Sequence, residues 1–282
     1  MYADKSTRRR GRRALIGLVL ALVIAIFTFS ASGSGAAAKP QAAKTARPTI
    51  VLVHGDFADA SSWSSVIERL QDRGFTVVAP PNLLRGPATD APYLASYLRS
   101  ISGPIVLVAH SYGGFVTTNA ATGNPNVKAL VYIDGLMPDE GETAGDLLAL
   151  FGSCVDGNGT IAVPYDGGVD LYLRWEAKET YPGFNECFAN GVRPKDAAIL
   201  FAGQRPGDVA QFSEPSGTPA WKTIPTWSLY GTLDNVIPPA LLEMMSSRAG
   251  ADITTVKAGH LTPITRPAEV TNVILSAVDA TK

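Results

Sequence analysis

The stretch Pro104–Gly114, PIVLVAHSYGG, decides the fold, because it joins a buried strand to a tight turn that carries a serine. The run Ile105–Val108 is short, rich in β-branched residues and without polar alternation, which is typical of a central strand covered on both faces. Ser111 follows between two small residues, Ala109 and Gly113. A strained strand-to-helix turn requires small residues two positions before and after its serine. The stretch therefore predicts a parallel α/β sheet that exposes Ser111 at one strand end.

Strand and helix patterns alternate on both sides of this stretch, as they do in parallel α/β sheets. The first strand, Thr49–Val53, runs directly into His54 and Gly55, and later apolar runs are separated by segments with helical periodicity. We predict an α/β fold with a mostly parallel, doubly wound sheet of about six strands. The expected strands span 49–53, 75–79, 105–108, 127–133, 226–230 and 253–256.

The regular alternation stops between residues 138 and 222. This segment contains many glycines, acidic residues and aromatic side chains, and a long insertion of this kind is typical of a lid. We predict a core formed by 49–137 and 223–282, with 138–222 inserted as a lid or cap. A small structural subdomain is the alternative, and the two descriptions are compatible.

All three histidines fall in loops directly after predicted strands. The carboxyl ends of the strands are where open parallel sheets bind ligands. His54 opens the first loop, whereas His110 precedes Ser111 and is expected to face the packing around the turn. His260 follows the last strand, and we identify it as the candidate base that takes the proton of Ser111.

An acid that orients this base is expected at a neighbouring strand end. Asp234 lies in the sequence GTLDNVIP, with room for one helix and one strand before His260. It gives the chain order serine, aspartate, histidine. Asp134 follows the strand at 127–133 and is the alternative, because a carboxylate from that strand end can also reach the histidine.

Four motifs in register, HGDF, AHSYGG, GTLDNVIP and GHL, resemble those of the α/β-hydrolase family. The likeness covers about residues 49–278 and is to the branch that contains plant methylesterases, hydroxynitrile lyases and their secreted bacterial relatives. It implies an α/β-hydrolase fold that starts at the strand before the His-Gly loop.

The resemblance also implies the residues of the site. A catalytic triad would consist of Ser111, His260 and Asp234, and an oxyanion hole would use the backbone N–H groups of Asp56 and Tyr112. An aspartate is an unusual residue beside a developing oxyanion, because a carboxylate would repel it. We therefore expect the side chain of Asp56 to point away from the hole.

The reaction implied by the resemblance is the cleavage of a carboxylic ester through an acyl-enzyme, with no metal and no organic cofactor. The substrate partner would be a small molecule. Aromatic residues of the insertion, together with Phe57 and Met137 as candidate rim residues, suggest a small or medium apolar acyl or alcohol group.

Other activities of the same fold are alternatives. A cofactor-free perhydrolase or haloperoxidase, or a lactonase, would use the same triad, and a non-catalytic ligand-binding sensor would only retain its residues. Cyanohydrin cleavage is disfavoured, because the lyases of this branch have a lysine where this chain has Leu261 and a threonine where it has Gly55. Related enzymes with an aspartate nucleophile are excluded by Ser111.

The first 38 residues have the pattern of an export signal. A run of arginines between Arg8 and Arg13 precedes the apolar segment Ala14–Phe29, which is short for a membrane-spanning helix. Either a general secretory or a twin-arginine signal fits, and an uncleaved membrane anchor is the alternative. Residues 39–48 are expected to form a flexible spacer before the domain.

The charge balance excludes some partners. The full chain has a formal net charge of −1, and removal of residues 1–38, with six basic residues and one aspartate (net +5), would leave −6. A mildly acidic protein is not expected to bind nucleic acid or an anionic membrane surface. The sequence does not indicate an oligomeric state.

The chain has two cysteines, Cys154 and Cys187, both within the predicted insertion. A single pair in an exported chain is expected to form a disulfide. A zinc site and a cysteine nucleophile are weaker alternatives, because the chain has no C-x-x-C motif and no histidine near either cysteine in sequence.

Overall fold

Residues 47–281 are described by the structure, which is a computed structural model. The predicted export signal, and all of the predicted spacer except residues 47 and 48, lie outside the described residues. The strands are, in chain order, β1 Thr49–Val53, β2 Val77–Val78, β3 Ile105–His110, β4 Val127–Ile133, β5 Thr160–Tyr165, β6 Gly168–Leu173, β7 Gly207–Asp208, β8 Thr226–Gly231 and β9 Asp252–Val256.

The helices follow the strands along the chain. They are α1 Ser64–Gln71, α2 Pro87–Arg99, α3 Tyr112–Ala120, α4 Ala144–Phe151, α5 Phe184–Cys187, α6 Pro194–Ala202, α7 Ala210–Ser213, α8 Pro239–Arg248, α9 Thr262–Thr265 and α10 Pro267–Asp279. In the described residues, two short 3-10 helices span Ala60–Trp63 and Ala220–Lys222. Within residues 47–281, none of these helices is long and apolar enough to cross a membrane.

The main sheet has six strands in the described residues, in the order β2-β1-β3-β4-β8-β9, and every neighbouring pair is parallel. This confirms the predicted α/β-hydrolase fold and its starting strand. β2 is shorter than expected and pairs with β1 through only two residue pairs. Pro80 and Pro81 follow one residue after β2, and proline has no N–H with which to donate a hydrogen bond to a neighbouring strand.

Both faces of β3 are covered, because successive residues of a strand point to opposite sides of the sheet. Ile105, Leu107 and Ala109 belong to the apolar cluster that includes side chains of α2, α3 and α8. Val106 and Val108 belong to the cluster with side chains of α1 and α10. All five are fully buried, and each valine or leucine contributes about 1.5–3 kcal/mol by burial. This two-sided burial fixes the strand that carries Ser111.

The segment predicted as a lid has a structure of its own. It contains α4 to α7 and a separate three-stranded antiparallel sheet in the order β5-β6-β7. Cys154 and Cys187 form the predicted disulfide, which joins the chain after α4 to α5. The boundaries 138–222 and a lid function remain predictions.

Candidate active site

Ser111 lies on the sharp turn between β3 and α3. Its backbone has φ 56° and ψ −130°, a conformation that is strained for a residue with a side chain. The turn is closely packed, because a Cβ at Gly113 would lie 2.7 Å from the carbonyl oxygen of His54. A Cβ at Gly55 would lie 2.5 Å from the Cβ of Ser111. Glycine is required at both positions so that the first loop can approach the serine.

The loops after β8 and β9 bring two further side chains to Ser111. The distance between Ser111 Oγ and His260 Nε2 is 2.9 Å, and that between His260 Nδ1 and Asp234 Oδ2 is 2.7 Å. The side chains of His260 and Asp234 are fully buried. With Nδ1–H donating to the carboxylate, Nε2 is left to accept the hydroxyl proton of Ser111.

The carboxyl group of Asp234 is held by the turn that follows it. Its Oδ1 accepts hydrogen bonds from the backbone N–H groups of Val236 at 2.8 Å and Ile237 at 3.0 Å. Burial raises the pKa of Asp234, and these two donors act against that rise. The hydrogen bonds fix the orientation of the carboxyl group toward His260.

Asp134, the alternative acid, is directed elsewhere. Its Oδ1 accepts the backbone N–H of Gly231 at 2.7 Å, and its Oδ2 accepts the hydroxyl of Thr262. Burial raises the pKa of Asp134, and the nearby carboxylate of Asp234 raises it further. Of the two candidate acids, Asp234 is therefore the one that the structure brings to His260.

The imidazole of His260 lies in an environment that favours its neutral form. Burial lowers the pKa of His260 to about 3. The ring of Phe188, from the predicted lid, lies 5.6 Å from the imidazole between ring centroids. His110 lies on the other side, where its Nε2–H donates to the carbonyl oxygen of His260 at 2.9 Å. His110 is fully buried, as expected from its position before the serine.

The expected oxyanion donors are Asp56 and Tyr112. Within residues 47–281, neither backbone N–H donates to a backbone carbonyl. Tyr112 is the first residue of α3, so its N–H has no acceptor within the helix. Its phenol is held separately, because the hydroxyl donates to Asp90 Oδ2 at 2.9 Å.

Asp56, whose side chain is expected to point away from the oxyanion hole, is one of the residues that line the cavity beside Ser111. It is buried, with 6% of its surface exposed, and it lies against Gly207 and Gln211. Burial raises the pKa of Asp56 well above its usual range, and the charge of Asp90 adds to the effect. A neutral carboxylic acid removes the repulsion that an aspartate would exert on an oxyanion.

A cavity of about 30 Å³ lies beside Ser111. Six of its thirteen lining residues come from the predicted lid, and the lining is mostly apolar: Asp56, Phe57, Ser111, Tyr112, Leu136, Ala144, Leu148, Val155, Phe188, Gln211, Phe212, Val236 and Ile237. Phe57, one of the two candidate rim residues, is among these lining residues. Met137, the other, is not among them; it is fully buried, and its backbone N–H donates to Met245 Sδ of α8 at 3.3 Å.

Two features of the site and its surroundings were not predicted from the sequence. Gln211 lies on the short helix α7 inside the irregular insertion, where no periodic pattern indicates which side chains face the site. Asp90 lies on α2, and its role as acceptor for Tyr112 has no local sequence signal. In the described part of the chain, no group of three or more His, Cys, Asp or Glu side chains is placed to hold a metal ion.

Comparison with known proteins gives the family. The family model described as alpha/beta hydrolase family matches residues 50–273. Probable hydrolase R7 of Phoma sp. is 25% identical over 254 residues, which are 81% of this chain and 97% of that protein. The carbendazim hydrolyzing esterase of Nocardioides sp. is 29% identical over 111 residues, 35% of this chain and 46% of that protein. An extracellular alpha/beta-hydrolase from a Paenibacillus species has the same fold, with a TM-score of 0.62 at 22% identity over 82% of this chain and 98% of that one. The chain belongs to the alpha/beta hydrolase family.

Proposed function

We propose that this protein is a serine hydrolase that cleaves carboxylic esters through a triad of Ser111, His260 and Asp234. The observation that carries the proposal is the continuous pair of contacts, 2.9 Å from serine to histidine and 2.7 Å from histidine to aspartate. A nucleophile, a neutral base and an orienting carboxylate in this arrangement are the groups that acyl transfer requires.

The first half-reaction forms an acyl-enzyme. His260 Nε2 takes the proton of Ser111 as Oγ attacks the ester carbonyl carbon, and the imidazolium that forms is stabilised by Asp234. The N–H groups of Asp56 and Tyr112 donate to the oxyanion. As the carbon–oxygen bond to the alcohol breaks, His260 returns the proton to the departing oxygen.

The second half-reaction releases the acid. A water molecule gives a proton to His260 Nε2 and attacks the acyl carbon, which forms a second oxyanion at the same two donors. The bond to Ser111 Oγ then breaks, and Oγ recovers its proton from His260. None of these steps needs a metal or an organic cofactor.

The apolar lining of the cavity supports an ester substrate with apolar groups, and the names of two relatives support a hydrolytic reaction. Leu136, Leu148 and Val155 are among the apolar residues that line the space beside Ser111. Two relatives carry the names probable hydrolase and carbendazim hydrolyzing esterase. We further propose that the protein is exported, which the basic and apolar N-terminal pattern and the disulfide support.

The test compares the purified protein with its Ser111→Ala variant on p-nitrophenyl acetate and p-nitrophenyl butyrate. We expect turnover by the wild type and a loss of at least 10³-fold in the variant. Ser276→Ala, an exposed serine on α10, is the matched control and should keep full activity. Turnover that survives in Ser111→Ala would remove the assignment. Lactones, methyl esters and a peroxide assay then separate an esterase from a lactonase or a perhydrolase.

A further inference from the structure

Two polar side chains in the cavity wall have hydrogen-bonding atoms without partners. Within residues 47–281, Oδ1 of Asp56 and both Nε2 and Oε1 of Gln211 make no hydrogen bond of normal geometry, although the amide of Gln211 lies close enough to the carboxyl of Asp56 to act against the rise of its pKa. Both residues line the cavity beside Ser111, and their exposed fractions are 6% for Asp56 and 1% for Gln211. Buried polar atoms without a partner are rare in proteins, and each one calls for a physical explanation.

The two groups are neighbours and are held in place. A Cβ at Gly207 would collide with the amide of Gln211 and would lie 2.7 Å from Oδ1 of Asp56, so the backbone of β7 supports both. Asp208, the next residue of β7, accepts the backbone N–H of Ala210 at 2.8 Å and thereby fixes the start of α7, which carries Gln211. The pair is therefore part of the folded structure and does not rest on a mobile surface loop.

The rest of the lining cannot satisfy these atoms. Besides Asp56, Gln211 and Ser111, the lining has one further polar side-chain group, the hydroxyl of Tyr112, and this hydroxyl already donates to Asp90. The remaining residues are apolar. A pocket of this composition, mostly apolar with a few convergent polar groups, is typical of a site in which the polar groups select the ligand.

The pair formed by Asp56 and Gln211 is suited to an uncharged ligand group, because a neutral carboxyl and an amide carry no formal charge. Burial raises the pKa of the Asp56 carboxyl well above its usual range, which favours the neutral form of the group. The pair then offers an O–H donor, an N–H donor and carbonyl acceptors but no formal charge. A hydroxyl group, which both donates and accepts, matches this set.

We propose that Asp56 and Gln211 form a polar subsite that binds a hydroxyl group of the ester substrate. The proposal rests on the proposed esterase function and narrows its substrate class to hydroxylated esters. Asp56 would then have two roles, because its backbone N–H would donate to the oxyanion and its side chain would bind the hydroxyl group of the substrate. A site that is built to pair a hydroxyl discriminates against an analogue that lacks it, because its own buried groups are then left unpaired.

The test uses ester pairs that differ only by a hydroxyl in place of a methyl group. Methyl 3-hydroxybutanoate is compared with methyl 3-methylbutanoate, and 2-hydroxyethyl butanoate with propyl butanoate, so that both sides of the ester bond are probed. Acid release is followed by pH-stat titration, and the ratio of kcat/KM within each pair is measured. The wild-type ratio is then divided by the ratio for Gln211→Leu, so that the intrinsic difference in reactivity between the two esters cancels.

We expect the wild type to favour the hydroxyl ester of at least one pair by tenfold or more, relative to Gln211→Leu. Asp56→Ala, which keeps the backbone N–H, is the second variant and should lose the same preference. Gln71→Leu, an exposed glutamine at the end of α1, is the matched control and should keep it. Ratios that agree within twofold between the wild type and Gln211→Leu, with esters still hydrolysed, would overturn the subsite and leave the esterase function standing.

A second measurement separates the two proposals. The same pairs are titrated into the Ser111→Ala variant, where binding is measured without turnover. If no ester is hydrolysed by the wild type, the esterase function fails, and the titration alone decides the subsite. Binding of a hydroxyl ester at least tenfold tighter than its methyl analogue supports the subsite, and equal binding of both members of each pair refutes it.

Discussion

The carboxyl group of Asp134 accepts a hydrogen bond from the backbone N–H of Gly231 at a distance of 2.7 Å. Gly231 ends β8, three residues before Asp234, and the other oxygen of Asp134 accepts the hydroxyl of Thr262, two residues after His260. One buried carboxyl thus connects the two loops that carry the acid and the base. We infer that Asp134 positions the triad and does not itself orient the histidine.

This division of roles predicts different effects for two matched substitutions. Asp234→Asn should lower kcat on p-nitrophenyl butyrate by about 10⁴-fold, because an amide does not stabilise the imidazolium of His260. Asp134→Asn should retain activity within about tenfold, since burial and the nearby Asp234 raise the pKa of Asp134, which favours its neutral form, and an amide oxygen can accept from Gly231 in its place. Steady-state kinetics with both variants checks this. A larger loss in Asp134→Asn than in Asp234→Asn would make Asp134 the catalytic acid.

The burial of His260 predicts the acid side of the pH profile. The base must be neutral to take the proton of Ser111, and burial lowers the pKa of His260 to about 3. We therefore expect kcat/KM to stay constant as the pH is lowered past 6.5, the ordinary pKa of histidine, and to fall only at a more acidic pH. Rates are followed at the isosbestic wavelength of p-nitrophenol, with circular dichroism at each pH as the control for folding. A fall centred at or above pH 6.5 would contradict the expected direction of the shift.

Loss of the disulfide is predicted to lower the free energy of unfolding. Cys154 and Cys187 are 33 positions apart, and a crosslink over a loop of this size contributes about 3–4 kcal/mol by restricting the unfolded chain. Phe188, which contacts the ring of His260, directly follows one of these cysteines. The double Cys→Ser variant should lose this free energy of unfolding in urea denaturation. Reduced wild type is its matched control and should show the same loss, whereas a loss below about 1 kcal/mol would show that the crosslink contributes little.

The sequence predicts those parts of the site that follow from strand order. Parallel strands end at one edge of a sheet, so residues in the loops that follow β3, β8 and β9 are brought to the same edge by topology alone. Ser111, Asp234 and His260 are of this kind, and the structure brings them together as expected. Asp134 also follows a strand, and only its contacts with Gly231 and Thr262 separate it from Asp234.

The side-chain environment of the cavity could not be predicted in the same way. Met137 and Phe57 both lie just after strands, yet one packs against α8 and the other lines the cavity. The carboxyl of Asp56 lies against Gln211, which comes more than 150 positions later in an insertion without periodic pattern. Local sequence carries no information on such a contact, because the register between the insertion and the first loop is set only by tertiary packing.

The raised pKa of Asp56 predicts a pH-dependent difference in stability between the wild type and Asp56→Asn. An unfolded aspartate releases its proton near pH 3.9, whereas burial keeps the folded side chain protonated to higher pH. Between these two values, each pH unit lowers the free energy of unfolding of the wild type by about 1.4 kcal/mol through this group. Asp56→Asn has no proton to lose, so its stability relative to the wild type should increase as the pH rises from 5 to 7.

Urea denaturation at pH 5, 6 and 7 measures this difference, because the contributions of all other titrating groups are shared by the two proteins and cancel. The control is Ser276→Ala, which alters no titratable group and should differ from the wild type by a constant amount. A difference between Asp56→Asn and the wild type that does not change with pH would mean that Asp56 is ionised in the folded protein. The carboxylate would then repel the oxyanion at the adjacent N–H groups, and Asp56 could no longer be the oxyanion donor that the mechanism requires.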